Sequence, residues 1–201
     1  MSICYAKQIR AVLVLVFIAA IALVCGCVSD TPSDSPVETP IPPDVKPQEQ
    51  TTGAGVIHYS ILWTYLPTAT NNWISFDPIG ETDITEDGYP YTHVAAVYVL
   101  KSNTDVMVTV GIEDSGGDPV GYWEDWDAWY EYEDIEYSWK KTKVNGYTAW
   151  DFHDKFENIY IRYIGIDDRF IVYIISDGED YITSFTNAMD LEDIAALGKT
   201  R

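Results

Sequence analysis

Apolar residues are distributed along the chain in two different patterns. Near the N-terminus they form one uncharged run, from Ala11 to Val24, which closes on Cys27. Beyond residue 56 they recur in short stretches, several with a period of two, which is typical of strands that bury one face. Seven such stretches predict strands, at residues 73–77, 91–100, 106–112, 135–144, 147–152, 158–166 and 169–176.

Helical signals occur between and after these stretches. Asp118 and Pro119 give an acidic N-cap followed by proline at the first helical position, and residues 120–130 then repeat aromatic side chains on one helical face. Residues 79–90 are predicted to be a polar loop. The other predicted helices cover residues 56–66, where a strand is nearly as good an interpretation, 181–188 and 190–197.

Short turns join most of the predicted strands. Asn145-Gly146 is a strong hairpin signal, and Asp167-Asp168 makes a second tight turn. Hairpin connections imply antiparallel pairing, and helices then cover the sheet. The predicted fold class is therefore α+β: an antiparallel sheet of about seven strands with helices on one face, preceded by an anchor segment and a disordered linker.

The N-terminal apolar run has the features of a secretory signal peptide. Lys7 and Arg10 supply the basic region that precedes such a run. Its end, Val24-Cys25-Gly26-Cys27, resembles a lipobox, in which the last cysteine is lipidated. A retained transmembrane helix is the alternative, because residues 11–28 approach the roughly 20 needed to span a bilayer. Both interpretations place the domain on the extracytoplasmic face of the cell membrane.

Proline and small polar residues dominate the stretch that follows the run. Residues 28–55 contain six of the ten prolines of the chain and too few apolar side chains to offset the entropy cost of ordering. We therefore predict three regions: a signal peptide with a lipobox over residues 1–27, a Pro-, Thr- and Ser-rich linker over residues 28–55, and a globular domain over residues 56–201.

Charge and cysteine content exclude several classes of function. The chain has 32 acidic and 12 basic residues, for a net charge of −20, so nucleic acid is disfavoured as a partner by phosphate repulsion. All cysteines, Cys4, Cys25 and Cys27, precede the globular domain. The domain therefore has no disulfide, no thiolate metal site and no cysteine nucleophile.

The segment from Tyr122 to Trp139 concentrates both aromatic and acidic side chains. One interpretation is an amphipathic helix whose aromatic face packs on the sheet while its acids face solvent. A second is a binding surface, because exposed aromatic rings stack on a glycan or on a protein partner. The candidate ligand-binding residues are Trp123, Trp126, Trp129 and Tyr130.

Acidic residues of the same segment allow a third interpretation. A helix would place Glu124, Asp127 and Glu131 near one another, where they repel and offer the carboxylate oxygens that Ca²⁺ prefers. Calcium is the only cofactor for which the sequence suggests ligands.

Catalytic motifs are missing from the sequence. HExxH, GxSxG, the P-loop and GxGxxG do not occur. The histidines, His58, His93 and His153, lack a metal-ligand spacing, and Ser115 has no His or Asp at a recognisable distance along the chain. We therefore predict that the domain is not an enzyme.

Several short motifs link the domain to a known group of proteins. They are Leu66-Pro67 followed by Trp73, and residues 112–117, 144–147, 168–172 and 187–197. In these motifs the chain resembles archaeal and bacterial surface lipoproteins of unassigned function, and its order of elements is similar to the PsbP-like fold. That resemblance implies assembly or binding rather than catalysis, and it assigns no functional residue.

Together these features predict a membrane-tethered, extracytoplasmic binding or interaction domain without enzymatic activity. Its expected partners are the membrane, through the N-terminal anchor, and a surface protein or glycan. The alternative is a lipoprotein that captures Ca²⁺ or a glycan through residues 122–139. No pattern in the sequence indicates an oligomeric state.

Overall fold

A computed structural model describes residues 55–199 of the chain. The predicted signal peptide, the lipidation site Cys27 and all but the last residue of the predicted linker lie outside the described residues.

Nine strands form the centre of the described part of the chain. They are β1 (Trp73–Ser75), β2 (Ile79–Ile84), β3 (Pro90–Leu100), β4 (Asn103–Asp114), β5 (Tyr132–Glu133), β6 (Tyr137–Val144), β7 (Tyr147–Asp154), β8 (Ile159–Ile166) and β9 (Phe170–Ser176). The α-helices of residues 55–199 are α1 (Tyr59–Leu62), α2 (Glu179–Asn187) and α3 (Leu191–Lys199), and short 3₁₀ helices occupy Trp63–Tyr65, Gly121–Trp123 and Trp126–Ala128.

All the strands belong to one antiparallel sheet. Its order is β1-β3-β4-β9-β8-β7-β6-β5, and β2 pairs with β3 along the same edge as β1. The turn between β6 and β7 has the positive φ angles expected of a two-residue hairpin, 50° at Asn145 and 91° at Gly146. Asp167 and Asp168 do the same between β8 and β9, each with φ of 51°.

The seven predicted strands are confirmed, and the structure adds two. Strand β2 lies inside residues 79–90, for which the prediction of a polar loop was wrong. Its side chains are mostly exposed, because an edge strand is held by its backbone ladder to β3 and does not need apolar alternation. Strand β5 has only two residues, too few to leave a periodic signal.

The hydrophobic core contains apolar side chains that are aligned in rows across neighbouring strands. Val94, Ile112, Val172 and Ile164 lie opposite one another in adjacent strands, and all four are fully buried. Helices α2 and α3 contribute to the same core through Ile182, Phe185, Leu191 and Ile194.

A buried ion pair fixes the end of β4, where the chain leaves the centre of the sheet. Arg169 Nε and Nη2 each lie 2.8 Å from one oxygen of the Asp114 carboxylate. The same carboxylate accepts hydrogen bonds from the N–H groups of Gly116 and Ile57. The first turn after β4 is therefore held at a defined position, from which the next segment starts.

Candidate ligand-binding groove

Residues 115–131, here called the crossing segment, connect the centre of the sheet to its edge. They leave β4, which is third in the strand order, and enter β5, which is last. Their aromatic side chains meet successive strands on the way. The Tyr122 ring lies 5.6 Å from that of Tyr173 in β9, and the Trp129 ring lies 6.2 Å from that of Trp150 in β7 and 5.1 Å from that of Trp139 in β6.

The predicted α-helix over residues 120–130 is wrong. The crossing segment contains two separate 3₁₀ helices of three residues each. The physical reason is at Gly121, whose φ is +57° and whose backbone lies so close to the Glu113 carboxylate that a Cβ there would overlap it. A left-handed residue at the start of the predicted helix ends α-helical geometry before one turn is complete.

Three tryptophans of the crossing segment nevertheless lie on one side of it. Trp123, Trp126 and Trp129 are three residues apart, a spacing that suits 3₁₀ turns, and successive rings are 5.0 and 5.1 Å apart. Trp123 and Trp126 pack closely on the sheet because Gly165 has no side chain. A Cβ at that position would lie 2.7 Å from Trp126 Cζ2 and 2.9 Å from Trp123 Cη2.

An open groove lies between the crossing segment and the β6–β7 hairpin. It is a shallow space of about 600 Å³ that is largely open to solvent. Trp129 and Trp150 are its aromatic lining residues, and the remaining lining residues are polar. These are Glu131, Lys141, Thr142, Lys143 and Thr148.

Two polar residues of the groove, Lys141 and Glu131, make contacts that limit where their side chains lie. Lys141 Nζ lies 5.3 Å from the centroid of the Trp150 ring, a cation–π contact. Glu131 Oε1 accepts a hydrogen bond of 3.2 Å from the backbone N–H of Lys141. Trp150 is only 3% exposed, and its Nε1 has no hydrogen-bond partner among the described residues. An unpaired buried donor costs free energy until a partner arrives.

A buried acid lies beneath the start of the crossing segment. Burial raises the pKa of Glu113 to about 7, although the N–H of Tyr122 donates a hydrogen bond of 3.1 Å to its carboxylate, which opposes the shift. Burial also raises the pKa of Tyr122 to about 12 and lowers the pKa of His93. His93 Nε2 is 2.7 Å from the hydroxyl of Tyr173. The start of the crossing segment is thus hydrogen-bonded to a carboxyl group whose pKa lies near neutral pH.

The structure separates the predicted ligand-binding residues into two groups. Trp123, Trp126 and Trp129 are brought together and are half-buried, but only Trp129 lines the groove. Tyr130 is 66% exposed and is not among the lining residues.

The three acids proposed as calcium ligands are not gathered into a metal site. Glu124, Asp127 and Glu131 are all exposed, and residues 55–199 contain no group of three or more His, Cys, Asp or Glu side chains that could hold one ion. The three carboxylates would lie close together only on an α-helix, which does not form here. Glu131 instead lines the groove.

Five of the seven residues that line the groove are not among those predicted from the sequence. Across the β6–β7 hairpin, Lys141 pairs with Trp150 and Lys143 pairs with Thr148. This register follows from the Asn145-Gly146 turn, because a two-residue hairpin pairs residues 144 and 147 and every successive pair outward. The lysines and their partners could therefore be placed together from the sequence by counting residue pairs outward from this turn.

The histidines and Ser115 have structural contacts. His58 caps α1 by accepting a hydrogen bond from Ser60 N. The His153 ring stacks on Tyr160 with centroids 3.9 Å apart. The hydroxyl of Ser115 is buried and donates to the carbonyl of Arg169 at 3.0 Å.

Comparison of the chain with models of protein families, with curated proteins and with solved structures finds no match. Among residues 55–199, no helix has the length and hydrophobicity required to cross a bilayer.

Proposed function

We propose that the chain is a membrane-tethered, extracytoplasmic binding domain of mixed α+β fold, without enzymatic activity, that captures a glycan. One observation carries the proposal: the groove in which Trp129 and Trp150 lie beside a ring of polar side chains. The resemblance of residues 24–27 to a lipobox and the Pro-rich residues 28–55 support a domain held outside the membrane on a long tether.

A sugar ring suits the two kinds of surface in this groove. The C–H bonds on one face of a pyranose ring carry small positive charges, and they pack against the electron-rich face of an indole. The hydroxyl groups around the ring need hydrogen-bonding partners. Trp129 offers the aromatic surface, and Glu131, Thr142 and Thr148 offer acceptors and hydroxyl donors.

Other aromatic rings pack against Trp129 and restrict its movement. Trp129 also lies 5.3 Å from the ring of Tyr163 and 5.1 Å from that of Trp139. A ring packed on several sides loses little conformational freedom when a ligand binds, which favours affinity. Calcium capture receives no such support, since its three candidate ligands are not gathered.

A glycan array probed with the full chain tests this function, followed by calorimetry with the glycans retained. We expect Trp129→Ala to weaken binding at least ten-fold. Thr148→Trp, which fills the groove without removing a packed ring, should do the same. The matched control is Trp63→Ala, because Trp63 is also partly exposed but follows α1, beside β2 at the opposite edge of the sheet.

Two results would overturn the proposal. One is that no glycan binds the wild-type chain at millimolar concentration. The other is that Trp129→Ala and Thr148→Trp, shown to be folded by their thermal melts, bind a glycan as tightly as the wild type does.

A further inference from the structure

The groove holds positive charge in a strongly acidic protein. The chain has only 12 basic residues against 32 acidic ones, yet Lys140, Lys141 and Lys143 fall within four consecutive residues of β6. Lys140 pairs with Glu133 at 3.4 Å. Lys141 and Lys143, which alternate with Lys140 along the strand, line the groove.

Neither groove lysine forms an ion pair with any residue of the described range 55–199. Within residues 55–199, ion pairs use Lys140, Lys155, Arg162, Arg169 and Lys199, and none involves Lys141 or Lys143. Glu131 is the acid of the groove, and one of its oxygens accepts the backbone N–H of Lys141. Two ammonium groups therefore face a space that contains one carboxylate.

From this we infer that the ligand is an acidic glycan, with a carboxylate or sulfate group that binds between Lys141 and Lys143 while a neighbouring sugar ring packs on Trp129. This inference rests on the proposed function and specifies its ligand. Residues two apart on a strand are roughly 7 Å from each other on the same face, so one anionic group lies within reach of both flexible side chains.

The negative charge of the whole protein limits the length of the acidic glycan that can bind favourably. Charges separated by more than about 8 Å are largely screened at physiological ionic strength, so a short oligosaccharide experiences mainly the two lysines and Glu131, whose charges sum to a positive value. A long polyanion also passes the exposed acids of the crossing segment, Glu124 and Asp127. We therefore expect disaccharides to bind as tightly per site as long chains of the same sugar.

Strand β5 pairs only with Ser138 and Trp139 of β6, so among residues 55–199 no strand lies beside the lysine-bearing part of β6 on the side away from β7. Lysines at such an edge also discourage strand-to-strand aggregation, and the test must distinguish that role from binding. It compares four probes by calorimetry on the full chain. They are a glucuronic-acid disaccharide, its carboxyl-reduced counterpart, a sulfated neutral disaccharide and tetraglutamate. The variant is Lys141→Gln/Lys143→Gln, with Lys143→Gln alone as the milder change. Lys101→Gln is the control, because Lys101 also forms no ion pair among the described residues but lies in the turn between β3 and β4.

We expect an acidic disaccharide to bind at least ten-fold more tightly than the carboxyl-reduced one, and the double variant to reduce that preference below two-fold while the reduced sugar still binds. The carboxylated and sulfated probes show which anion is preferred. Equal affinity for the acidic and reduced sugars, with Trp129→Ala still abolishing binding, would overturn this inference and leave the proposed function standing. Binding of tetraglutamate when none of the sugar probes binds would overturn this inference, and so would the absence of binding by all four probes. The proposed function is overturned separately, when the glycan array finds no glycan that binds.

Discussion

Asp114 and Arg169 form a bidentate ion pair that is almost completely buried, with side-chain exposures of 0% and 9%. The pair joins the end of β4 to the turn before β9, and the carboxylate also holds the N–H of Ile57. We predict that Asp114→Asn lowers the free energy of unfolding by about 3–5 kcal/mol, because it leaves the guanidinium buried without a compensating charge. Urea denaturation of the full chain measures this loss.

The control for this prediction is Glu133→Gln. Glu133 pairs with Lys140 and Lys155 at the surface, where ion pairs contribute little, and we expect no measurable change in the urea midpoint. If Asp114→Asn proved as stable as Glu133→Gln, the buried pair would not be what holds the start of the crossing segment.

Gly165→Ala should disturb the packing of the crossing segment on the sheet. The added methyl group would lie 2.7 Å from Trp126 Cζ2, so Trp123 and Trp126 must move away from the sheet. We expect a red shift of tryptophan fluorescence and a loss of about 1–3 kcal/mol of stability, as for other overpacked sites. Gly198→Ala, where the nearest atom is Phe170 Cε2 at 3.3 Å, should leave the fluorescence unchanged, and a wild-type spectrum for Gly165→Ala would contradict the close packing.

Glu113 makes the stability of the protein depend on pH. Burial raises its pKa from 4.5 to about 7, so the native state holds this proton more tightly than the unfolded chain does. The contribution is complete below pH 4.5 and is lost as the pH rises through 7. We predict that Glu113→Gln removes up to about 3 kcal/mol of pH-dependent stability between pH 4.5 and 8.

This prediction is checked by urea denaturation of the wild type and Glu113→Gln at several pH values. Taking the difference between the two proteins cancels the other titrating groups, His93 among them, to first order. Parallel curves for the two proteins would show that the Glu113 carboxyl ionises in the folded state as easily as in the unfolded chain.

Cys27→Ser tests the predicted anchor. If Cys27 is lipidated, the variant should lose the acyl modification detected by mass spectrometry and leave the membrane fraction or retain an unprocessed signal peptide. Cys25→Ser provides the control and should be processed as the wild type is. Wild-type membrane attachment of Cys27→Ser with no acyl group on either protein would instead favour a retained transmembrane helix over residues 11–28.

The strand ladder could be predicted because its signals are local. Alternation in β4 and the turn at Asn145-Gly146 each depend on a few neighbouring residues. The path of the crossing segment could not be predicted, because it depends on residues distant in sequence. Gly121 packs against the carboxylate of Glu113, and Trp123 and Trp126 pack against Gly165, where a side chain would overlap them.

The candidate site divides in the same way. Trp129 was selected for its place in an aromatic, acidic stretch, although the helix on which that argument depended is not formed. Lys141 and Trp150 belong to another hairpin, and neither has a motif of its own. Only the fold brings the two halves to one groove, so sequence patterns alone indicated one side of it.

The central claim is that a glycan occupies the groove between Trp129 and Trp150. The most direct test follows the indole N–H signals of the seven tryptophans by NMR, as the ¹⁵N-labelled full chain is titrated with the glucuronic-acid disaccharide and with its carboxyl-reduced counterpart. We predict saturable shifts of the Trp129 and Trp150 signals and no shift of Trp63 or Trp73, which lie near the opposite edge of the sheet. Saturable shifts at Trp63 or Trp73 that leave Trp129 and Trp150 unchanged, or no shift with either sugar, would contradict the claim.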